Sequence, residues 1–226
     1  MNHIITAFSV PIVTTMHSSP DDLNRRLTAA FLAAEGEGSR YANPEPFTHR
    51  NDALFESVFT LFDWNKPEVQ ELKRFCYERL WEAVQQLNGH DESVMRRLEV
   101  DQESWFHITR KGGYFGVHNH PMHSWSGVYC VCQEGDENND NSGRLTFINP
   151  FASNTMFLDM GSNQLQPPYQ MGSIPTRLKP GQLVLFPSWL LHEVTSFEPE
   201  SEGLRITVAF NVRFRMTGAQ RHVAFS

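Results

Sequence analysis

The chain has 226 residues, of which 40% are hydrophobic and 12% aromatic, enough to bury a sizeable core, and we predict one domain over residues 1–226. A formal net charge of −7 without a basic stripe argues against a nucleic-acid partner, because backbone binding depends on clustered Lys and Arg. No apolar run approaches the roughly 20 residues that cross a bilayer, and the N-terminus lacks the charged start of a secretory signal, so no membrane partner is expected.

Helices are predicted after an apolar, strand-like start at residues 8–13. The first helix begins after Ser19, a residue type favoured at the N-cap, and ends near Gly36. A second helix is predicted over 67–89, and a short helical stretch follows at 92–98. Apolar residues of the second helix recur at three- and four-residue spacing and predict a buried face: Val69, Leu72, Cys76, Leu80, Val84 and Leu87.

Alternating apolar and polar residues predict strands through the rest of the chain. Seven segments show this pattern: 103–110, 114–118, 125–132, 144–148, 176–179, 182–187 and 204–214. Many short strands in such a length are typical of a jelly roll. We therefore predict a mainly β protein whose double-stranded β-helix, a cupin-like barrel, spans 103–214. A strand and N-terminal helices at 1–102 flank it, and a tail follows at 215–226.

The last predicted strand separates its side chains into two faces. One face is wholly apolar and is expected to take the helices: Leu204, Ile206, Val208, Phe210, Val212 and Phe214. The opposite face would line the barrel and carry Arg205 inward. A buried guanidinium needs an anionic partner, and its planar fork fits a carboxylate. That partner is either a bound ligand or an internal Asp or Glu in a structural ion pair.

Three histidines predict a metal site. His118 and His120 lie two residues apart, so on a strand they point to the same face, and His192 can close the set from a neighbouring strand. A cation held by three protein ligands keeps positions free for substrate and O2, which distinguishes a catalytic site from a closed structural one. The pattern therefore favours open-site metal catalysis.

The surroundings of these histidines carry a family resemblance. The segments are Gly112-Gly113-Tyr114-Phe115-Gly116-Val117-His118-Asn119-His120-Pro121, Ser126-Gly127-Val128-Tyr129, Pro180 to Val194, and Leu204-Arg205-Ile206-Thr207-Val208. In order and spacing they resemble the Fe(II)/2-oxoglutarate-dependent oxygenases. Within that group they are most similar to a bacterial and phage branch related in pattern to the prolyl hydroxylases. The similarity runs from about Trp105 to Phe214, roughly half of the chain.

The resemblance implies a dioxygenase with Fe(II) as cofactor and 2-oxoglutarate as cosubstrate. It implies that His118, His120 and His192 hold the metal and that Arg205 binds the distal carboxylate of 2-oxoglutarate. Thr207 would complete the Arg-x-Ser/Thr pair of such enzymes, and Tyr129 would add a hydroxyl donor. The implied reaction hydroxylates a small-molecule or peptidyl substrate and converts 2-oxoglutarate and O2 into succinate and CO2.

One position departs from the family pattern and keeps two other functions open. The usual ligands are two His and one carboxylate, whereas this sequence has His120 at the carboxylate position. Glu193 is the nearest carboxylate in sequence, but a residue adjacent to His192 on a strand points to the opposite face. A cupin-type enzyme with a three-His metal centre that does not use 2-oxoglutarate is one alternative. A non-catalytic jelly roll that binds a ligand is the other.

Other features of the sequence point to cellular location or remain without a role. Three cysteines without framework spacing fit a reduced, cytoplasmic protein, and Cys130 and Cys132 are expected to be small strand residues. His123 is expected at the surface, with substrate contact as the alternative. The long segment 149–175 is either a lid over the site or an inert surface excursion.

Overall fold

The two long helices lie where the sequence predicts them, whereas the short helix ends at Met95 and Leu98 already begins a strand. The computed structural model describes residues 2–135, 138–151 and 157–217, and in it α1 spans Pro20–Gly36, α2 Pro67–Asn88 and α3 Glu92–Met95. Ser19 occupies the predicted N-cap position without a capping hydrogen bond from its side chain. Gly89 ends α2 with φ of 65°, a left-handed conformation that glycine adopts without steric cost.

The buried face of α2 follows the predicted spacing with one exception. Val69, Leu72, Cys76, Leu80 and Val84 are buried, whereas Leu87 is 48% exposed, so its predicted burial is wrong. Leu87 lies in the last turn of α2, next to the C-terminal end. Within the described ranges, no helix combines the length and apolar character needed to cross a membrane.

The strands form two antiparallel sheets. The strands are β1 Val13–Met16, β2 Leu54–Glu56, β3 Leu98–Thr109, β4 Phe115–His118, β5 Trp125–Gln133, β6 Leu145–Phe147, β7 Ile174–Thr176, β8 Gln182–Pro187, β9 His192–Val194 and β10 Arg205–Met216. The larger sheet has the order β1-β8-β5-β10-β3-β2, and the smaller has the order β4-β9-β6-β7. This arrangement is the predicted jelly roll, mainly β with added helices.

Two apolar clusters hold these layers together. The first joins α1 and α2 to the larger sheet and includes the side chains predicted on the apolar face of β10. Gly127 on β5 belongs to this contact, because a Cβ there would lie 2.3 Å from the ring of Phe210. The second cluster lies between the sheets: Cys130, Leu145, Phe147, Leu178, Val184, Phe186 and Leu190. The alternation predicted for the last strand therefore sets which face of β10 the helices cover.

Several strand limits differ from the prediction. The first strand covers 13–16 rather than 8–13, and the strand expected at 176–179 lies at 174–176. β2 was not predicted, because only three residues pair there. β10 extends to Met216, so the first two residues of the expected tail are strand, and 218–226 lie outside the described residues.

Candidate active site

The structure brings His118, His120 and His192 together as predicted. His118 ends β4 and pairs directly with His192 on β9, and the backbone N–H of His120 donates to the carbonyl of Ser188 at 2.9 Å. One ligand nitrogen from each imidazole lies within 4.8 Å of the others. The ring centroids are 4.2 Å apart for His118 and His192, and 5.0 and 5.1 Å from these to His120. Such a group can surround a single metal ion.

Hydrogen bonds determine which nitrogen of the His118 and His192 rings is available to bind a metal. Nδ1 of His118 lies 2.7 Å from the carbonyl of Gly116, and Nδ1 of His192 lies 2.8 Å from that of Leu190. A carbonyl only accepts, so both Nδ1 atoms carry the proton and donate. Nε2 of each ring therefore keeps a lone pair for a metal, and the hydrogen bonds hold the rings in place.

The environment keeps the three imidazoles neutral. Burial lowers the pKa of His120 to about 2, and charge repulsion from His192 and His118 adds to the effect. Burial likewise lowers the pKa of His192 to about 3 and that of His118 below its usual value. Neutral imidazole is the form that binds metals, so the donor set is ready at neutral pH. Three such nitrogens suit Fe(II) among other transition metals.

Beside this group lies a buried acid that the sequence did not reveal. Glu56 on β2 is 4% exposed, and its carboxylate accepts from Nδ2 of Asn43 at 2.7 Å. Its Oε2 lies 2.9 Å from Nε2 of His107, which also lies 3.1 Å from Nε1 of Trp105. One ring nitrogen cannot donate and accept at once. We assign the N–H of His107 Nε2 as donating to the carboxylate of Glu56, because a buried carboxylate needs a donor.

Glu56 is ionised in this environment. Burial alone would raise the pKa of its carboxyl group, but the hydrogen bonds from His107 and Asn43 and the nearby charge of Arg50 outweigh burial and lower it. The His107 ring leads from Glu56 toward the metal group, since it packs 4.9 Å from Phe115, which packs 4.8 Å from His118. The negative charge of Glu56 thus lies near the three neutral imidazoles of the metal group.

Arg205 and Thr207 face the space between the sheets, as the alternation predicts. Both are 2% exposed. Thr207 lies across from His107 on β3 and from Cys130 on β5. Nε of Arg205 donates to the carbonyl of Gly143 at 3.0 Å, and a Cβ on Gly143 would come within 2.8 Å of the Arg205 side chain. A glycine at position 143 therefore makes room for the buried guanidinium.

Tyr129 lies elsewhere than predicted. Its side chain belongs to the cluster beneath the helices, and its hydroxyl donates to Oδ1 of Asn24 on α1 at 2.9 Å. Neighbouring residues of β5 alternate between faces, so Tyr129 points away from the interior that Cys130 faces. The expected hydroxyl donor for 2-oxoglutarate is thus corrected to a structural residue.

Replacement of Tyr129 by Phe tests this correction. The change leaves Asn24 without its buried donor and is expected to lower the free energy of unfolding by about 0.5–1.5 kcal/mol. Because the hydroxyl faces the helices, the concentration of 2-oxoglutarate needed for half-maximal turnover should not change. Urea unfolding and 2-oxoglutarate titrations measure the two effects, and a raised 2-oxoglutarate requirement at unchanged stability would restore the original expectation.

A cavity of about 400 Å³ opens beside His120. We call it the His120 cavity, and its lining residues are Phe47, Thr48, Glu56, Phe59, Glu103, Trp105, Phe115, Asn119, His120, Pro121, His123 and Asn211. The ring of Trp105 lies 5.9 Å from that of His120. The side chain of His123 is only 15% exposed, which corrects the expectation of a surface position.

The segment 149–175 does not line this cavity in the part of it that is described. Its residues 149–151 and 167–172 instead border a separate, mainly apolar cavity of about 460 Å³, together with the N-terminal residues 7–10. Residues 152–156 of the expected lid lie outside the described residues. The lid hypothesis stays a prediction.

Known proteins resemble this chain in sequence and in fold. A sequence profile of the family described as "Putative 2OG-Fe(II) oxygenase" matches residues 103–211, just under half of the chain. The matched span contains the three histidines and Arg205 in the predicted order. This match supports the placement of the chain in the Fe(II)/2-oxoglutarate-dependent oxygenase superfamily. The match indicates an oxidoreductase that depends on Fe(II) and 2-oxoglutarate.

Solved structures share the fold of this chain. A prolyl-4-hydroxylase from Pseudomonas putida aligns at 20% identity and a TM-score of 0.59, over 91% of this chain and 94% of that one. HygX from Streptomyces hygroscopicus, with nickel, 2-oxoglutarate and hygromycin B bound, aligns at 10% identity and a TM-score of 0.56, over 90% of this chain and 83% of that one.

A third structure is a prolyl hydroxylase from Trichoplax adhaerens in complex with a peptide fragment of hypoxia inducible factor. It aligns at 13% identity and a TM-score of 0.55, over 91% of this chain and 84% of that one. At identities this low, the structural matches establish a shared fold and nothing more. A sequence comparison of the chain with curated proteins gives no significant match.

Proposed function

We propose that the protein hydroxylates a C–H bond of a small-molecule or peptidyl substrate, with Fe(II) held by His118, His120 and His192. The observation that carries this proposal is the convergence of three neutral imidazoles, with ligand nitrogens within 4.8 Å of one another; one of them, His120, lines the His120 cavity. Related folds that hold a peptide or hygromycin B support either class of substrate.

In this proposal the buried Arg205 binds the distal carboxylate of 2-oxoglutarate, and Thr207 adds a hydroxyl donor. The guanidinium fork and the low dielectric between the sheets favour a charge-assisted contact. When bound, Fe(II) and 2-oxoglutarate supply the activation of O2. The residues of this chain provide ligand geometry, an anion clamp and an apolar enclosure that excludes water.

Anaerobic addition of Fe(II), with and without 2-oxoglutarate, tests the proposal. A weak visible charge-transfer band that requires both components is expected, because the band arises when 2-oxoglutarate chelates the metal. Replacement of Fe(II) by Zn(II) serves as the control without a band. Iron binding without any band on addition of 2-oxoglutarate would contradict the proposal.

A three-His cupin-type dioxygenase that does not use 2-oxoglutarate remains the second candidate. One observation favours it: the third side chain of the metal group is the imidazole of His120, where oxygenases of this superfamily usually have a carboxylate. In that case the protein would bind iron, show no band and oxidise its substrate without forming succinate. The family match over 103–211 favours the first candidate.

We also propose that residues 1–226 form one domain that works in the cytoplasm. The apolar cluster that joins both long helices to the larger sheet supports a common core. Cys76, Cys130 and Cys132 are thiols buried within the described part of the fold, which suits a reducing compartment.

A further inference from the structure

The described side chains that line the His120 cavity carry negative charge and no fixed positive charge. Glu56 and Glu103 both line it, and within the described residues its lining contains neither Lys nor Arg. The ionised Glu56 is already bound to His107 and Asn43. The side chain of Glu103 is 49% exposed, and Nε2 of the His123 ring lies 3.7 Å from its carboxylate. Glu103 is therefore the carboxylate that an incoming ligand can reach.

Aromatic rings form the walls between Glu103 and the imidazoles. Trp105 packs 4.7 Å from Phe59 on one side and 5.9 Å from the His120 ring on the other. Phe115 adds a further ring next to His118. Aromatic rings pack well against methylene groups and attract cations through their electron-rich faces. Walls of this kind suit an apolar chain that ends in a positive charge.

A polar donor completes the lining. Asn211 is 3% exposed, and it lies across from Glu103 in the pairing of β10 with β3. Its Oδ1 accepts from the hydroxyl of Ser126 at 2.7 Å, and the hydrogen bonds of the described residues leave its amide N–H groups unused. Asn211 can therefore donate to an oxygen of a ligand in this cavity.

We propose that the His120 cavity selects a substrate with an alkylammonium group, whose methylene chain packs against Phe59, Trp105 and Phe115 and whose charge is held by Glu103. This inference rests on the proposed function, because it places the C–H bond to be oxidised next to the metal group. One oxygen atom of O2 enters that C–H bond to give an alcohol. The other enters succinate as 2-oxoglutarate loses CO2.

Electrostatic interactions are expected to distinguish alkylammonium substrates from anionic and neutral ones. An anionic substrate would meet the two carboxylates of Glu56 and Glu103 and would be repelled by both. A neutral chain of equal length would gain the same apolar contacts without the ion pair. The cavity is thus expected to distinguish ligands by charge more than by size.

Ligand-observed NMR titrations test the proposal with three matched probes: the N-acetyl N-methylamides of lysine, norleucine and glutamate. The whole protein is titrated under nitrogen with and without Fe(II) and 2-oxoglutarate. The lysine probe is expected to bind about tenfold more tightly than the norleucine probe, and the glutamate probe least tightly. Pentylammonium serves as a fourth ligand: equal binding points to a small-molecule source, and weaker binding than the lysine probe points to a peptidyl one.

Glu103→Gln removes the charge while keeping the shape of the side chain. It should reduce the preference for lysine over norleucine to about twofold or less. Glu99→Gln is the matched control, because Glu99 lies on the same strand, pairs with Arg215 at 2.8 Å and is not part of the cavity. That variant should keep the tenfold preference.

Several results would overturn the proposal: equal or weaker binding of the lysine probe relative to norleucine, no binding of it in either state, or an unchanged preference in Glu103→Gln. Since binding is measured also without metal, this failure differs from failure of the oxygenase proposal. The latter would appear as a missing charge-transfer band while the charge preference persists.

Discussion

Replacement of His118 or His192 by Ala is expected to abolish retention of Fe(II) and, with it, 2-oxoglutarate turnover. A site with three protein ligands has only two left after either change. Changes to groups that merely orient a ligand already reduce metal affinity by about 10- to 100-fold, so loss of a ligand should exceed that range. Iron per chain after desalting and succinate formation measure the effect.

His3→Ala, which removes an exposed histidine far from the site in sequence, provides the control and should retain wild-type iron. Stoichiometric iron in both the His118 and His192 variants would remove the basis of the proposed metal centre. His120→Asp is the graded member of the series, because it restores the carboxylate usual in the superfamily. It should keep the metal, whereas a His120→Ala protein that binds iron like wild type would show that His120 is not a ligand.

Arg205→Ala is expected to raise the 2-oxoglutarate requirement by one to several orders of magnitude while iron binding persists. A charge-assisted contact contributes about 1.5–3 kcal/mol, and more when the carboxylate is left unpaired in a buried site, which corresponds to roughly tenfold or more in affinity. Arg205 is 2% exposed, so little water can take the place of the guanidinium. Titration of 2-oxoglutarate against succinate formation measures the requirement.

Two companion variants separate binding from stability. Arg205→Lys keeps the charge but loses the planar fork, so its requirement should lie between those of wild type and Arg205→Ala. Arg213→Ala, on the same strand but with an exposed side chain that contacts Asp101 at 3.3 Å, should leave the requirement unchanged. A protein that needs no more 2-oxoglutarate after Arg205→Ala but unfolds more readily would identify Arg205 as a structural ion-pair residue.

The parts of the fold that could be predicted are those where local pattern and tertiary contact agree. The strict alternation along β10 indicated both its helix-covered face and the inward position of Arg205, because successive side chains of a strand point to one face or the other. His118 and His192 could be placed together since each lies at the end of a strand in an ordered motif. Tyr129 shows the limit, because a tyrosine within a matching motif says nothing about which face its strand presents.

Other parts depend on contacts that no local pattern records. β2 pairs over three residues only, and its register with β3 brings Glu56 opposite His107. The two residues are far apart in sequence, and neither lies in a motif. The polar face of β10 did include Asn211, but its place in the His120 cavity follows from the pairing with β3 rather than from the strand itself.

The proximity of the Trp105 and His120 rings should make the fluorescence of Trp105 sensitive to metal binding. Transition-metal ions quench indole fluorescence at short range, and the centroid of the Trp105 ring lies 5.9 Å from that of His120. Trp105 is also almost fully shielded from water, at 4% exposure, so we expect it to emit at shorter wavelengths than exposed indoles such as Trp189, at 52%. Occupancy of the metal group can therefore be followed by the loss of blue emission, without a label and without catalysis.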